Sequence, residues 1–134
     1  MIKFLSVAFA TVTLAASATA AQAQTVVPAG KTTEVDFVGS YNMRTCQNGP
    51  RAQVRIRNPK HGRVSTKWVS RKIQANQVRS GGRKCVGRTM KGMAVYYTPN
   101  RGYRGADSFR INWSYPTGNG TRRSAGGTVR VRVQ

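Results

Sequence analysis

An all-β sandwich of about seven strands is the fold this sequence predicts, and three observations carry the prediction. Apolar residues recur at every second position in a series of short stretches, and the helical spacing of three and four is almost absent. Gly, Pro, Asn and Ser punctuate the gaps. A period of two sends alternate side chains to opposite faces of a sheet, so each stretch has one face to bury and one to wet.

The elements follow in chain order. Lys3, the short apolar run Phe4 to Leu14 and the small-x-small sequence Ala21-Gln22-Ala23 read as a secretory signal peptide over residues 1–23. The run is too short to span a membrane, which takes about 20 apolar residues. Residues 24–134 are then expected to form a single domain, a size suited to one core. Thr32 to Val38 is the first strand expected, after the Pro28-Ala29-Gly30 turn. Arg51 to Arg57 is the second, with Val54 and Ile56 on one face and Gln53, Arg55 and Arg57 on the other; Asn58-Pro59 ends it. Arg63 to Ser70 carries Val64, Thr66 and Trp68 on one face, and Met93 to Thr98 sets Val95 and Tyr97 against Ala94 and Tyr96. Ser108 to Tyr115 turns Phe109, Ile111 and Trp113 inward, and Thr128 to Gln134 turns Val129, Val131 and Val133 inward with Arg130 and Arg132 outward. The last two strands are expected to pair as a hairpin across a long mobile loop, Pro116 to Gly127, that carries Arg122 and Arg123. Arg71 to Arg88 is read as a turn at Gly81-Gly82, with Lys72 to Val78 either a strand or an irregular crossing. Trp68, Tyr97, Phe109, Ile111, Trp113, Val129 and Val131 are the expected core.

Cys46 and Cys85 are the only cysteines. Export to an oxidising compartment predicts a disulfide between them, closing a loop of about 40 residues. There is no CxxC pair and His61 is the only histidine, so a metal site is not expected. Because the first cysteine lies well beyond the cleavage site, lipid anchoring at a new N-terminal Cys is not expected either.

Two further motifs bear a family resemblance. Pro59-Lys60-His61-Gly62-Arg63-Val64 has the form PxHGxV, and Tyr97 to Phe109 has the form YxPxxGYxGxDSF. Together with the ending Val129, Val131, Val133, they make the chain from about Val54 onward resemble the bacterial Ig-like or cadherin-like repeat. The resemblance implies an immunoglobulin-like sandwich and says far less about activity. Related modules often bind calcium. Here three scattered acids, Glu34, Asp36 and Asp107, do not furnish the several oxygens that Ca²⁺ takes. Physically, Pro99 ends a strand, Gly102 and Gly105 suit a compact turn, Tyr103 covers one end of the core, and Asp107 accepts backbone N–H bonds at a strand entrance.

Charge gives the sign of the partner. Twenty-three Lys and Arg against three acids give a net charge of +20, which points to a polyanion without distinguishing nucleic acid from glycan or lipid head groups. Acid/base catalysis on glycans usually needs two apposed carboxylates; Glu34 and Asp36, on one face of one strand, read as surface charges, and no enzyme activity or cofactor is expected. Sixteen of the basic residues are Arg, the side chain suited to bidentate contacts with phosphate or sulfate. The outward residues Arg55, Arg57, Arg110, Arg130 and Arg132, with Arg122 and Arg123 in the loop, are the expected ligand-binding set. If their strands are neighbours, they form a ladder across one sheet. Two function classes stay open. One is a periplasmic or secreted module binding lipopolysaccharide, acidic polysaccharide or extracellular DNA. The other is a structural or adhesive protein whose charge serves only solubility. One continuous basic face supports the first, and an even spread with a bare edge strand supports the second.

Overall fold

The computed structural model describes residues 23–134; the expected leader, apart from its last residue, lies outside them. Alternation builds two stacked sheets. The strands are β1 (Thr25–Val27), β2 (Thr33–Val38), β3 (Tyr41–Asn42), β4 (Gln47–Asn48), β5 (Gln53–Arg57), β6 (Gly62–Lys72), β7 (Thr89–Pro99), β8 (Gly105–Pro116) and β9 (Arg122–Val133). One sheet runs β1-β9-β8-β5 and the other β2-β7-β6, seven strands between them, while β3 and β4 form a separate hairpin. β1 lies parallel to β9, and every other pair is antiparallel.

The core lies between the two large sheets. Val27, Phe109, Ile111, Val131 and Val133 come from the first, and Val38, Val95 and Tyr97 from the second. The rings of Tyr97 and Phe109 stack across the gap with centroids 6.4 Å apart. Of the expected core, Tyr97, Phe109, Ile111 and Val131 are buried, and Trp113 and Val129 are half-buried against the cluster. Trp68 is a correction. It holds the register opposite Met93 but lies outside the apolar cluster, half-buried, with the Arg51 guanidinium 4.7 Å from its ring centroid. A cation–π contact takes the place of burial.

Two other expectations change, and one left open is decided. The mobile loop Pro116 to Gly127 is mostly strand: β8 and β9 stay paired out to Pro116 opposite Arg122, and only residues 117–121 turn. Thr117 N–H donates to the Thr121 carbonyl at 2.8 Å, and the Thr117 hydroxyl donates to Asn119 Oδ1 at 2.8 Å, which closes the turn. The exposed stretch Arg122 to Gly126 has no core beneath it to impose alternation, which is why its composition reads as loop. Of the two readings of Lys72 to Val78, the irregular crossing holds. β6 ends at Lys72, and two 3₁₀ turns follow, Ala75–Gln77 and Ser80–Cys85, the second containing Gly81-Gly82. This excursion closes on itself where Ile73 N–H donates to the Arg88 carbonyl and Gly87 N–H to the Ile73 carbonyl, both at 2.9 Å. It is pinned to the β3–β4 hairpin by the Cys46–Cys85 disulfide, as expected. Finally, a bulge between Glu34 and Asp36 breaks the period in β2. Glu34 falls opposite Tyr96 and Asp36 opposite Val95, so the two acids do not share a face. The same slip brings Phe37 opposite Ala94, on the outer side. There it lies over Gly92, where a Cβ would stand 2.4 Å from the ring.

No helix among the described residues is long and apolar enough to cross a membrane.

Candidate functional site

Register decides where the arginines go. Because β5, β8 and β9 are neighbours, the alternate residues that face away from the core share one surface. Arg57 stands directly opposite Arg110, Arg55 opposite Asn112, Arg110 opposite Thr128, Arg130 opposite Ser108 and Arg132 opposite Ala106. The five arginines of the expected ladder are thus brought onto one face. Arg122 joins them at its far end, where its guanidinium donates to Ser114 Oγ at 3.0 Å. Arg123 does not. It stands opposite Tyr115, one step out of phase, and takes the register of the other face. All of the ladder except the half-buried Arg130 is exposed.

The acids are committed elsewhere. Glu34 pairs with Arg71 at 2.8 Å, the one ion pair among the described residues, and the Arg71 guanidinium also lies 4.1 Å over the Phe37 ring. Asp36 accepts the N–H of Phe37 at 2.7 Å. Asp107 accepts from the Tyr97 hydroxyl at 2.7 Å, from His61 N–H at 3.0 Å and from Ser108 N–H at 2.9 Å. No outward position of β5, β8 or β9 holds a carboxylate, and among the described residues no ladder guanidinium makes an ion pair.

Neutral residues that sequence reasoning passed over complete this surface. Gln53, Asn112, Ser114 and Ser124, with Arg55, Arg122 and the half-buried Trp113, line a groove of about 480 Å³. The signal was available in the register, since each neutral polar residue is two residues from a ladder arginine or two steps further along the same face. Gly126 fixes how one of these side chains, Asn112, lies. A Cβ there would stand 2.3 Å from Asn112 Oδ1 and 2.7 Å from the Ile111 carbonyl, so only glycine lets Asn112 lie across β9. A second basic group, Arg44, Lys84 and Arg88, lines a groove of about 400 Å³ beside Cys46. The disulfide brings these residues together from distant parts of the chain.

The PxHG turn and the DSF strand meet at Asp107. His61 uses its backbone N–H there, while its ring stacks on Tyr103 at 4.1 Å with an interplanar angle of 4°. Tyr97 is fully buried, and burial, then the bond to Asp107, raises its phenol well above the usual tyrosine range. Gly102 and Gly105 take φ of +78° and +126°, the left-handed values the turn requires. Among the described residues no three of His, Cys, Asp and Glu cluster in a way that could hold a metal ion. Comparison with known proteins finds no family model, no curated protein and no solved structure that matches the chain.

Proposed function

We propose that the protein is a non-enzymatic, strongly basic binding module that attaches to anionic polymers of a cell envelope through the outer face of its four-stranded sheet. Lipopolysaccharide, acidic polysaccharide and extracellular DNA share the required chemistry. The observation that carries this reading is the acid-free ladder, with Arg57 and Arg110 directly opposed. Like charges across a strand pair are destabilising, and a bound polyanion turns that repulsion into attraction on both sides. In this reading the chain is exported to the periplasm or beyond. The leader pattern supports export, as does the disulfide, a bond that persists in oxidising compartments. The motifs around Asp107 and the division into sheets of four and three strands support an immunoglobulin-like topology.

A second reading, adhesion to another protein, rests on β6. This strand is eleven residues long and pairs only with β7, leaving one edge open to strand addition.

Titration of duplex DNA at several salt concentrations separates the two. A contact with about five phosphates gives a log-log slope of roughly −4 to −5. Changing Arg55, Arg57, Arg110, Arg130 and Arg132 together to Gln is expected to abolish most binding, whereas changing Lys31, Lys60, Lys72, Arg79 and Arg101 weakens it less. Equal losses mean that charge acts without a site. Binding that ignores both sets and persists at high salt moves adhesion to first place.

A further inference from the structure

We infer that the groove between Arg55 and Arg122 is a saccharide subsite, and that the polymer this face selects is an acidic polysaccharide rather than a nucleic acid. The inference rests on the polyanion reading above and adds the chemical class of the ligand. Its residues are of two kinds. Arg55 and Arg122 supply charge, and the Arg122 guanidinium is already oriented by its bond to Ser114 Oγ at 3.0 Å. Gln53, Asn112 and Ser124 are exposed, neutral and able to donate and accept.

A phosphodiester backbone asks only for the first kind. Repeating carboxylated sugars ask for both, because each ring presents an anionic group together with hydroxyls. The geometry suits the second ligand. Outward side chains stand about 7 Å apart along a strand and about 5 Å apart between strands. The lattice Arg55–Asn112–Gly126 beside Gln53–Ser114–Ser124 thus sets amides and hydroxyls within one sugar's reach of a guanidinium. Gly126 leaves room for the Asn112 side chain to lie across β9, which fixes where its amide stands beside Ser114 and Arg55. Single-stranded nucleic acid fits poorly. Its binding surfaces stack successive bases on aromatic rings, whereas the one aromatic residue in the groove's lining, Trp113, is half-buried against the core, and no outward position of β5, β8 or β9 is aromatic.

The test compares two carboxylate polymers, one with sugar hydroxyls and one without: polygalacturonate and polyglutamate, each titrated against the protein and against the variant Gln53→Ala/Asn112→Ala/Ser124→Ala. The variant keeps every charge and alters only exposed side chains, and thermal melts check that it is folded. Loss of three neutral hydrogen bonds is expected to weaken polygalacturonate binding roughly tenfold or more. Polyglutamate affinity should hold within about twofold and the salt slope should not change. An equal loss on both polymers, or no loss on either, overturns the subsite and leaves the polyanion reading standing. If the unaltered protein binds neither polymer and no DNA, both readings fall together.

Discussion

Asp107 gathers the side-chain hydroxyl of Tyr97 and the backbone N–H groups of His61 and Ser108 onto one carboxylate, and so ties three strands' ends into a single node. Its role was legible in the sequence because a short acid after a Gly-rich turn has backbone donors within reach. Trp68 was not legible in the same way. Its register is correct, but alternation says which face a residue occupies and not how far the core extends along that face. The node has a pH signature. Tyr97 is neutral in the folded protein and its phenol is raised, whereas in the unfolded chain it titrates near the ordinary value of about 10. Above that pH the unfolded chain has lost a proton that the folded chain keeps, so stability is fully present below about pH 10 and declines as pH rises further. Denaturant midpoints measured from about pH 8 to 11 are expected to fall more steeply for the native protein than for Tyr97→Phe. Parallel slopes would mean that the Tyr97 phenol does not titrate differently on folding.

Among the elements, the strands with a core beneath them were the legible ones. β5, β7, the central part of β8 and the end of β9 show their period because one side of each meets Tyr97, Phe109 or Ile111. Arg122 to Gly126 is equally well paired yet exposed, and small polar residues there carry no period to read. The bulge in β2 was hidden for another reason, since it depends on how the partner strand β7 is registered. The disulfide was legible from an even count read together with the leader pattern, and its neighbours could have been read from it. Arg44 stands two residues before Cys46 and Lys84 one before Cys85, so pairing the cysteines pairs the bases. The 3₁₀ excursion buries only Ile73, Gly82 and Cys85, little apolar surface to hold it without a covalent link. Replacing both cysteines by Ser is expected to cost about 2 to 4 kcal/mol in a denaturant melt. It should also release protease sites between Lys72 and Arg88 while the two large sheets remain protected. Unchanged stability would show that the excursion holds without its tether.

For the whole molecule, the excess of positive charge could be read from the outset, while the face on which the arginines gather needed the strand order. Nothing in the sequence says that β5 adjoins β8, and with any other neighbour Arg55 and Arg57 would stand apart from Arg110. The acids are few and each has a structural task, Glu34 on Arg71, Asp36 at the bulge and Asp107 at the node. The ladder is positive because no acid is left to oppose it.

The parallel pairing of β1 with β9 has a consequence in time. The first strand of the described chain has its only partner in the last: Thr25 to Val27 align with Val131 to Val133, Gln134 N–H donates to the Val27 carbonyl at 3.0 Å, and Ala29 N–H donates to the Gln134 carbonyl at 2.8 Å. A polypeptide emerging N-terminus first must therefore carry β1 unpaired until Val131 to Val133 are free, and this pairing is slowed by the long intervening loop. Deleting residues 131–134 is expected to leave a chain that exchanges amide hydrogens freely in β1 and is cut rapidly by protease. Added back as a peptide, the missing segment should restore protection to β1 before any other strand responds.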